Sequence, residues 1–321
     1  MTYAMLTSPA AGKPPDPHRQ DRDSRRSVTV GSDADGRYSY TNGDAELYGL
    51  LGIEGTTYQI GFDAVAKLLG DVSGKTFLDF GCGTGRSARF LKGLGAQHVY
   101  AVDHDQTMIS QALTQELDGV TFLRIDGPIP LPDASVDGAV SMNVFIEIRT
   151  LAAMTRACAE IARTLRPDAP FVLESSSPMA FGRTFRNFSY PHAGPLRNGE
   201  TTPCIVTTPG GQFVIEDTYW TEDDYADAVE QAGLAVITID YPRPHDPAAW
   251  STTRHPYRRA SSSKPERRVT GSPDRLDGQN PSQRESGRMS KLRVVLLERA
   301  RGRQGADPVV VDALAVHELE P

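Results

Sequence analysis

The sequence predicts an α/β fold built on a doubly wound, mainly parallel sheet, and three observations carry that prediction. Thr76, Phe77, Leu78 and Phe80 form a short β-prone run that stops at alternating glycines, Gly81, Gly83 and Gly85, after which Ser87 to Lys92 returns to helical spacing. Strand-like and helical runs then alternate as far as Tyr241. An acidic residue, Asp103, closes the second strand-like run about two dozen residues after Asp79, the separation expected for a strand, a helix and the next strand.

Residues 1–36 are rich in Pro, Asp, Arg and Ser without helical or strand periodicity, and are expected to form a disordered tail. From Asp44 to Leu51 and from Ile60 to Leu69 apolar residues recur at helical spacing, giving two helices around the polar break Glu54-Gly-Thr-Thr-Tyr. At the turn that follows Phe80, glycine removes Cβ where the chain needs positive φ. It also lets backbone N–H groups and the next helix's N-terminus approach a ligand, so a nucleotide-like ligand is implied. The next helix ends at Gly95, and the run His98 to Val102 delivers Asp103 to the C-terminal end of a strand, where open parallel sheets bind ligands. A carboxylate there can accept from both hydroxyls of a ribose and would repel a 2′-phosphate. His104 and Met108 start the following helix.

A third strand, Val120 to Ile125, ends in Asp126-Gly127, and Pro128, Pro130 and Pro132 lead through an extended loop into a fourth, from Ser135 to Met142. Thr150 to Leu165 is helical, closing with Arg163 and Arg166 before Pro167, and Ala169 to Glu174 is a fifth strand. Ser175 to Tyr219 breaks the rhythm with aromatic and polar residues and a hairpin around Pro209-Gly210-Gly211. Inserted there, it hangs over the C-terminal edge of the sheet. It forms either a substrate lid, with Phe181, Phe185, Phe188, Tyr190 and His192 facing a flat organic molecule, or a self-packed accessory hairpin. Thr221 caps a helix that ends at Gly233, and Leu234 to Tyr241 is the sixth strand. Residues 251–290 are basic and Ser-rich without apolar periodicity, which fits disorder or a departure of the reading frame near Ser251. Within 291–321, Lys291 to Glu298 is the candidate for a last strand.

At 321 residues with 39% hydrophobic content the chain can bury a core, while 23 prolines, 29 glycines and a mean hydropathy of -0.39 suggest sizeable unstructured segments beside it. A formal charge of -7 argues against non-specific affinity for nucleic acid or an anionic membrane. Cys82, Cys158 and Cys204 have neither metal-ligand spacing nor an even disulfide framework, so a reducing compartment is expected. No run is apolar enough to span a bilayer, and a soluble cytoplasmic protein without a metal centre is the expectation.

Glycine spacing decides which nucleotide is meant. A dinucleotide fingerprint needs its third glycine three residues after the second, where this chain has Arg86. An acidic residue two places before the first glycine sits badly against a pyrophosphate but suits a cationic amino acid and sulfonium. Asp79, Gly81, Gly83 and Gly85 fit the pattern hh(D/E)hGxGxG, and in them the chain resembles the class I (Rossmann-like) S-adenosylmethionine-dependent methyltransferases of small-molecule type. The resemblance implies a seven-stranded sheet whose last strand is antiparallel, a catalytic domain over 37–250 with 175–219 as a lid insertion after the fifth strand, and S-adenosyl-L-methionine as cofactor. Asp79, Gly81, Cys82, Gly83 and Gly85 would cradle that cofactor and Asp103 would hold its ribose. His104 and Met108 would flank the adenine, Asp126 with Gly127 would meet its amino group, and Asn143 to Glu147 would wall the departing methyl. Tyr58 and Phe62 either close over the cofactor or simply pack on the sheet. The chain departs from the family's usual Pro-Gly-Gly corner at Pro167-Asp168-Ala169.

The implied reaction is direct displacement at the sulfonium methyl, driven by alignment in a dry pocket, with no covalent nucleophile required. If the acceptor is a hydroxyl or acidic carbon, Glu147 and His192 are the candidate bases, each equally readable as structural or positioning. The expected partner is a small organic acceptor. The alternatives are RNA or protein methylation supported by the basic segment after Arg254, and cofactor binding without turnover.

Overall fold

The inner strands of the central sheet bury residues on both faces, and that demands helices on both. The computed structural model describes residues 38–242 and the strand at 292–299; the expectations for 1–36, 251–290 and the end of the chain lie outside the described residues. In chain order come α1 (Asn42–Gly49), α2 (Tyr58–Leu69), β1 (Thr76–Phe80), α3 (Arg86–Gly93), β2 (His98–Asp103), α4 (Gln106–Leu113), β3 (Val120–Arg124), β4 (Gly138–Met142), α5 (Leu151–Thr164) and β5 (Phe171–Ser176). There follow β6 (Phe188–Ser189), β7 (Thr201–Thr208), β8 (Gly211–Thr218), α6 (Glu222–Gln231), β9 (Leu234–Asp240) and β10 (Leu292–Arg299). The main sheet has the order β3-β2-β1-β4-β5-β10-β9. Pairing is parallel from β3 to β5, and β10 runs antiparallel to both β5 and β9. The expected doubly wound, seven-stranded α/β sheet is what the chain forms.

Successive side chains of β1 part to the two faces, as the strand pleat requires. Phe77 enters a layer with Val65 of α2, Leu91 of α3 and Ile109 of α4, while Leu78 enters one with Met154 and Ile161 of α5 and Val229 of α6. The helices start where side chains satisfy free N–H groups: reciprocal capping by Thr41 and Asp44 opens α1, Thr221 and Asp224 do the same for α6, and Asp105 accepts from Thr107 and Met108 at α4. The fourth strand begins later than its sequence suggests. Ser135 and Val136 donate instead to the Thr164 carbonyl at the end of α5, which keeps them out of the ladder.

The 175–219 segment forms a second, antiparallel sheet, β6-β7-β8, with the anticipated hairpin at Pro209-Gly210. Its rings are used differently from the lid-surface expectation. Phe185, Phe188 and Tyr190 are buried with Tyr38, Leu51, Cys204, Val206, Phe213 and Ile215, and Phe181 stacks on Tyr190 with centroids 4.5 Å apart. They form the core between the insertion and the N-terminal residues, because two thin layers can exclude water only by burying large rings against each other. Polar contacts fix both layers over the sheet's C-terminal edge. Thr57 donates from its backbone N–H (3.0 Å) and hydroxyl (2.6 Å) to Oδ1 of Asn187, and Tyr38 donates to the Val214 carbonyl at 2.8 Å. The end of β8 is joined to the loop after β4 by Thr218 N–H to the Ile146 carbonyl (2.6 Å), by Arg149 to Glu216 (2.5 Å), and just beyond it by the Trp220 indole to the Ile148 carbonyl (2.9 Å).

Candidate active site

The sheet order reverses between β1 and β4, and the C-terminal ends of these strands with β2 and β5 define the crevice where such sheets bind ligands. The three turn glycines have positive φ for different reasons. At Gly81 (φ 73°) a Cβ would lie 2.3 Å from Val144, and at Gly85 (φ 84°), the cap of α3, 2.7 Å from the Phe122 ring. Those two are demanded by packing. At Gly83 (φ 53°) a Cβ would meet only Tyr48 at 3.7 Å, so there the bare backbone leaves room on the crevice side.

Asp103 ends β2 and is nearly fully buried. Its carboxylate accepts the Gly83 N–H at Oδ2 and the Asp105 N–H at Oδ1, both at 2.8 Å, with His104 Nδ1 3.5 Å away. Burial raises its pKa, and the two amides and His104 oppose the rise. The ring of His104 is turned to the Tyr38 carbonyl at 2.9 Å, and Met108 is buried on α4. Asp79, wholly buried on β1, accepts from the Ser87 hydroxyl at 2.6 Å through Oδ2, while Oδ1 has no partner. Burial pushes its carboxyl up to about 7, against the Ser87 bond and helped by the charge of Asp103. The Cys82 thiol is buried and raised in the same way.

Arg86, Tyr48, Tyr58 and Glu174 form a cluster of which only Tyr58 is expected from the sequence to meet the cofactor. The Arg86 guanidinium lies 4.0 Å from the Tyr58 ring centroid and 4.8 Å from that of Tyr48, and its Nη1 is buried without a partner. Glu174 on β5 is buried with an unpartnered Oε2, and burial lifts its carboxyl to about 8 despite Arg86. Only its position could have betrayed it: it is the single charge in a strand otherwise buried on both faces.

Beyond β4, Asn143 takes a left-handed conformation (φ 58°) and donates its N–H to the Glu174 carbonyl. Glu147 accepts from Tyr40 at 2.8 Å; burial raises its pKa well above the carboxylate range, the charge of Asp217 adds to this, and Tyr40 opposes it. Asp217 on β8 is buried. Its Oδ2 accepts the Tyr190 hydroxyl at 2.6 Å, its Oδ1 has no partner, and burial raises its carboxyl to about 6. The period-2 run Phe213, Ile215, Asp217 places it on the inner face, a pattern readable in the sequence.

The structure thus gathers Asp79, the glycine turn, Asp103, Asn143, Glu147 and Tyr58 around one crevice. Asp126 and Gly127 stand apart, exposed after β3, with Asp126 paired to Arg124 at 2.6 Å. His192 lies in the insertion, its backbone against Gly182 and its Nε2 buried without a partner. Among the described residues no cluster of His, Cys, Asp and Glu could hold a metal ion, and no helix is long and apolar enough to cross a membrane.

A family model described as a methyltransferase domain matches residues 78–173, from β1 to β5. The chain is 30% identical over 193 residues to N-demethylindolmycin N-methyltransferase of Streptomyces griseus, covering 56% of this chain and 76% of that protein. It belongs to the class I S-adenosylmethionine-dependent methyltransferases. The methyltransferase is also 30% identical over 178 residues to a demethylmenaquinone methyltransferase of Tropheryma whipplei, across 53% of its own length and 71% of the relative's. A crystal structure of an S-adenosylmethionine-dependent methyltransferase from Mesorhizobium loti shares the fold, with a TM-score of 0.51 and 19% identity over 77% of this chain and all of that one. Its cofactor is S-adenosyl-L-methionine, and the crevice fits it: the unpaired Arg86 Nη1 matches an α-carboxylate, and the unpaired oxygens of Asp79 and Glu174 match an α-ammonium.

Proposed function

We propose that this methyltransferase acts on a small organic acceptor enclosed between the sheet edge and the roof made by α1, the start of α2 and the β6-β7-β8 insertion. The observation that carries the reading is the covered edge. The roof is joined to the loop after β4 at Ile146, Ile148 and Arg149, and Tyr40 reaches down to Glu147, an enclosure suited to a small molecule rather than a polymer. Both curated relatives named above carry names that refer to small organic molecules.

S-Adenosyl-L-methionine, when bound, supplies a methyl group already activated on a sulfonium. The chain's own residues do the rest. Asp103, oriented by the Gly83 and Asp105 amides, accepts from the ribose diol, and Gly81, Cys82, Gly83 and Gly85 offer backbone beside it. Tyr58 and Tyr48 hold the Arg86 guanidinium for the carboxylate. His104 and Met108 border the adenine. Asn143 fixes the wall beside the reacting methyl, the roof excludes water, and Glu147 is placed to hold or accept a proton from the acceptor, with His192 the second candidate in the insertion. Calorimetric titration with S-adenosylhomocysteine tests the donor half. Micromolar binding is expected, weakened about 100-fold in Asp103→Ala, which loses two charge-assisted contacts. Binding unchanged in that variant would refute the assignment of Asp103.

A further inference from the structure

We infer that Glu147 and Asp217 form an anionic acceptor subsite selective for a basic nitrogen, so that the substrate class is a primary or secondary amine; this rests on the methyl-transfer reading above. The two carboxyl groups come from elements far apart in sequence, and their chain neighbours Thr218 and Ile146 are hydrogen-bonded where the end of β8 is tied to the loop after β4. Asp217 is the charge that acts most strongly on Glu147. Two carboxylates brought together in a buried place repel, and that repulsion is relieved by a cation between them.

Among the described residues, no cation is found among the groups that act on either carboxyl. The groups acting on Glu147 are Asp217 from β8, Asp103 and Asp105 from the end of β2, and the phenol of Tyr40. Those acting on Asp217 are the Tyr190 hydroxyl and the Cys204 thiol. Arg149, close by in sequence, is already paired with Glu216. Asp217 is 2% exposed, yet its Oδ1 accepts from nothing, and the hydroxyls of Thr202, its partner across the β7–β8 ladder, and of Thr218 are likewise buried and unpaired. A neutral alcohol or thiol acceptor would leave this charge uncompensated, and a carboxylate acceptor would add to it. An ammonium answers the charge of Asp217, favours ionisation of Glu147 and brings several N–H donors.

The chemistry balances. The ammonium gives one N–H proton to a carboxylate of the pair, which frees the nitrogen lone pair. That pair forms the new N–C bond as the C–S bond of the sulfonium breaks, its electrons staying on sulfur. The products are the methylated amine and S-adenosylhomocysteine, and the proton leaves to water when they depart.

The test uses the full chain saturated with S-adenosylhomocysteine and three probes of one shape: tryptamine, its neutral alcohol tryptophol, and indole-3-acetate. Calorimetry should show tryptamine binding at least about tenfold more tightly than tryptophol, as one charge-assisted hydrogen bond requires, and indole-3-acetate weakest. The preference should grow as pH rises through about 6, where Asp217 ionises, and should be lost in Asp217→Asn and in Glu147→Gln while S-adenosylhomocysteine affinity stays within about twofold. Glu147→Gln, at a half-buried site, decides the matter should Asp217→Asn fail to fold. Equal binding of amine and alcohol, no binding of tryptamine at millimolar concentration, or an amine preference that survives both substitutions would overturn the inference while leaving methyl transfer standing. A folded wild-type chain that does not bind S-adenosylhomocysteine would bring down both.

Discussion

Replacing Glu174 with Gln should stabilise the unliganded protein above neutral pH and weaken its hold on the cofactor. Glu174 is 1% exposed, has an unpaired Oε2, and its carboxyl is lifted from an ordinary 4.5 to about 8, mainly by burial. The native state therefore keeps this proton to higher pH than the unfolded chain. Between about pH 4.5 and about pH 8 the native state binds more protons, so stability falls as pH rises, and above that range the full deficit is present. The gap corresponds to a ceiling of about 5 kcal/mol at about 1.4 kcal/mol per pH unit. About 2 kcal/mol is expected in practice, since a buried carboxylate relaxes and Arg86 loses a counter-charge in the variant. Thermal unfolding by calorimetry should show the wild type losing midpoint temperature from about pH 5 to about pH 8.5, with Glu174→Gln higher by about 4–8 °C at the upper end and equal to it at the lower. Asp79 and Asp217 contribute slopes of the same sign, so the difference between the two proteins isolates Glu174. A variant that is less stable at about pH 8.5, with the wild-type slope intact, would mean that Glu174 is ionised and held by Arg86, and would refute the reasoning. Affinity for S-adenosylhomocysteine should drop about tenfold in the variant if Glu174 receives the ammonium.

Gly81→Ala should destabilise by about 3 kcal/mol because of the contact with Val144 and the positive φ, whereas Gly83→Ala should cost about 1 kcal/mol in stability; denaturant unfolding showing equal effects would contradict the division of labour between the glycines. Asn187→Ala leaves the Thr57 N–H and hydroxyl buried without an acceptor, which should cost about 2–4 kcal/mol and open the roof, seen as faster limited proteolysis near residue 57. Tyr40→Phe removes the bond that favours ionised Glu147, so the Glu147 carboxyl should titrate higher still; carbon NMR of Glu-labelled protein showing no move, or a downward one, would exclude that role for Tyr40.

How much of this could be read without coordinates differs by element. The central α/β sheet was legible because strand and helix periodicities are local, and the turn from Asp79 to Gly85 because its backbone demands are local too. The antiparallel run of β10 agrees with the resemblance, although a long stretch separates it from β9 in sequence; its place between β5 and β9 is set by the tertiary fold. The insertion was legible as a hairpin but not in its use of aromatics. Nothing in the spacing of Phe185, Phe188 and Tyr190 says whether they face a ligand or the N-terminal residues, since a ring that must be buried serves either end.

The sequence by itself determined the fold class, the glycine turn and the carboxylate at the end of β2, because each rests on residues within a few positions of one another. Tertiary structure decided the partners: Arg86 beside Tyr48 and Tyr58, Glu174 buried without a partner for Oε2, and Asp217 brought to Glu147 across some seventy intervening positions. Those pairings depend on which long-range contacts close the roof onto the sheet, and burial then raises the carboxyl groups of Asp79, Asp103, Glu147, Glu174 and Asp217. Neither is written in local periodicity.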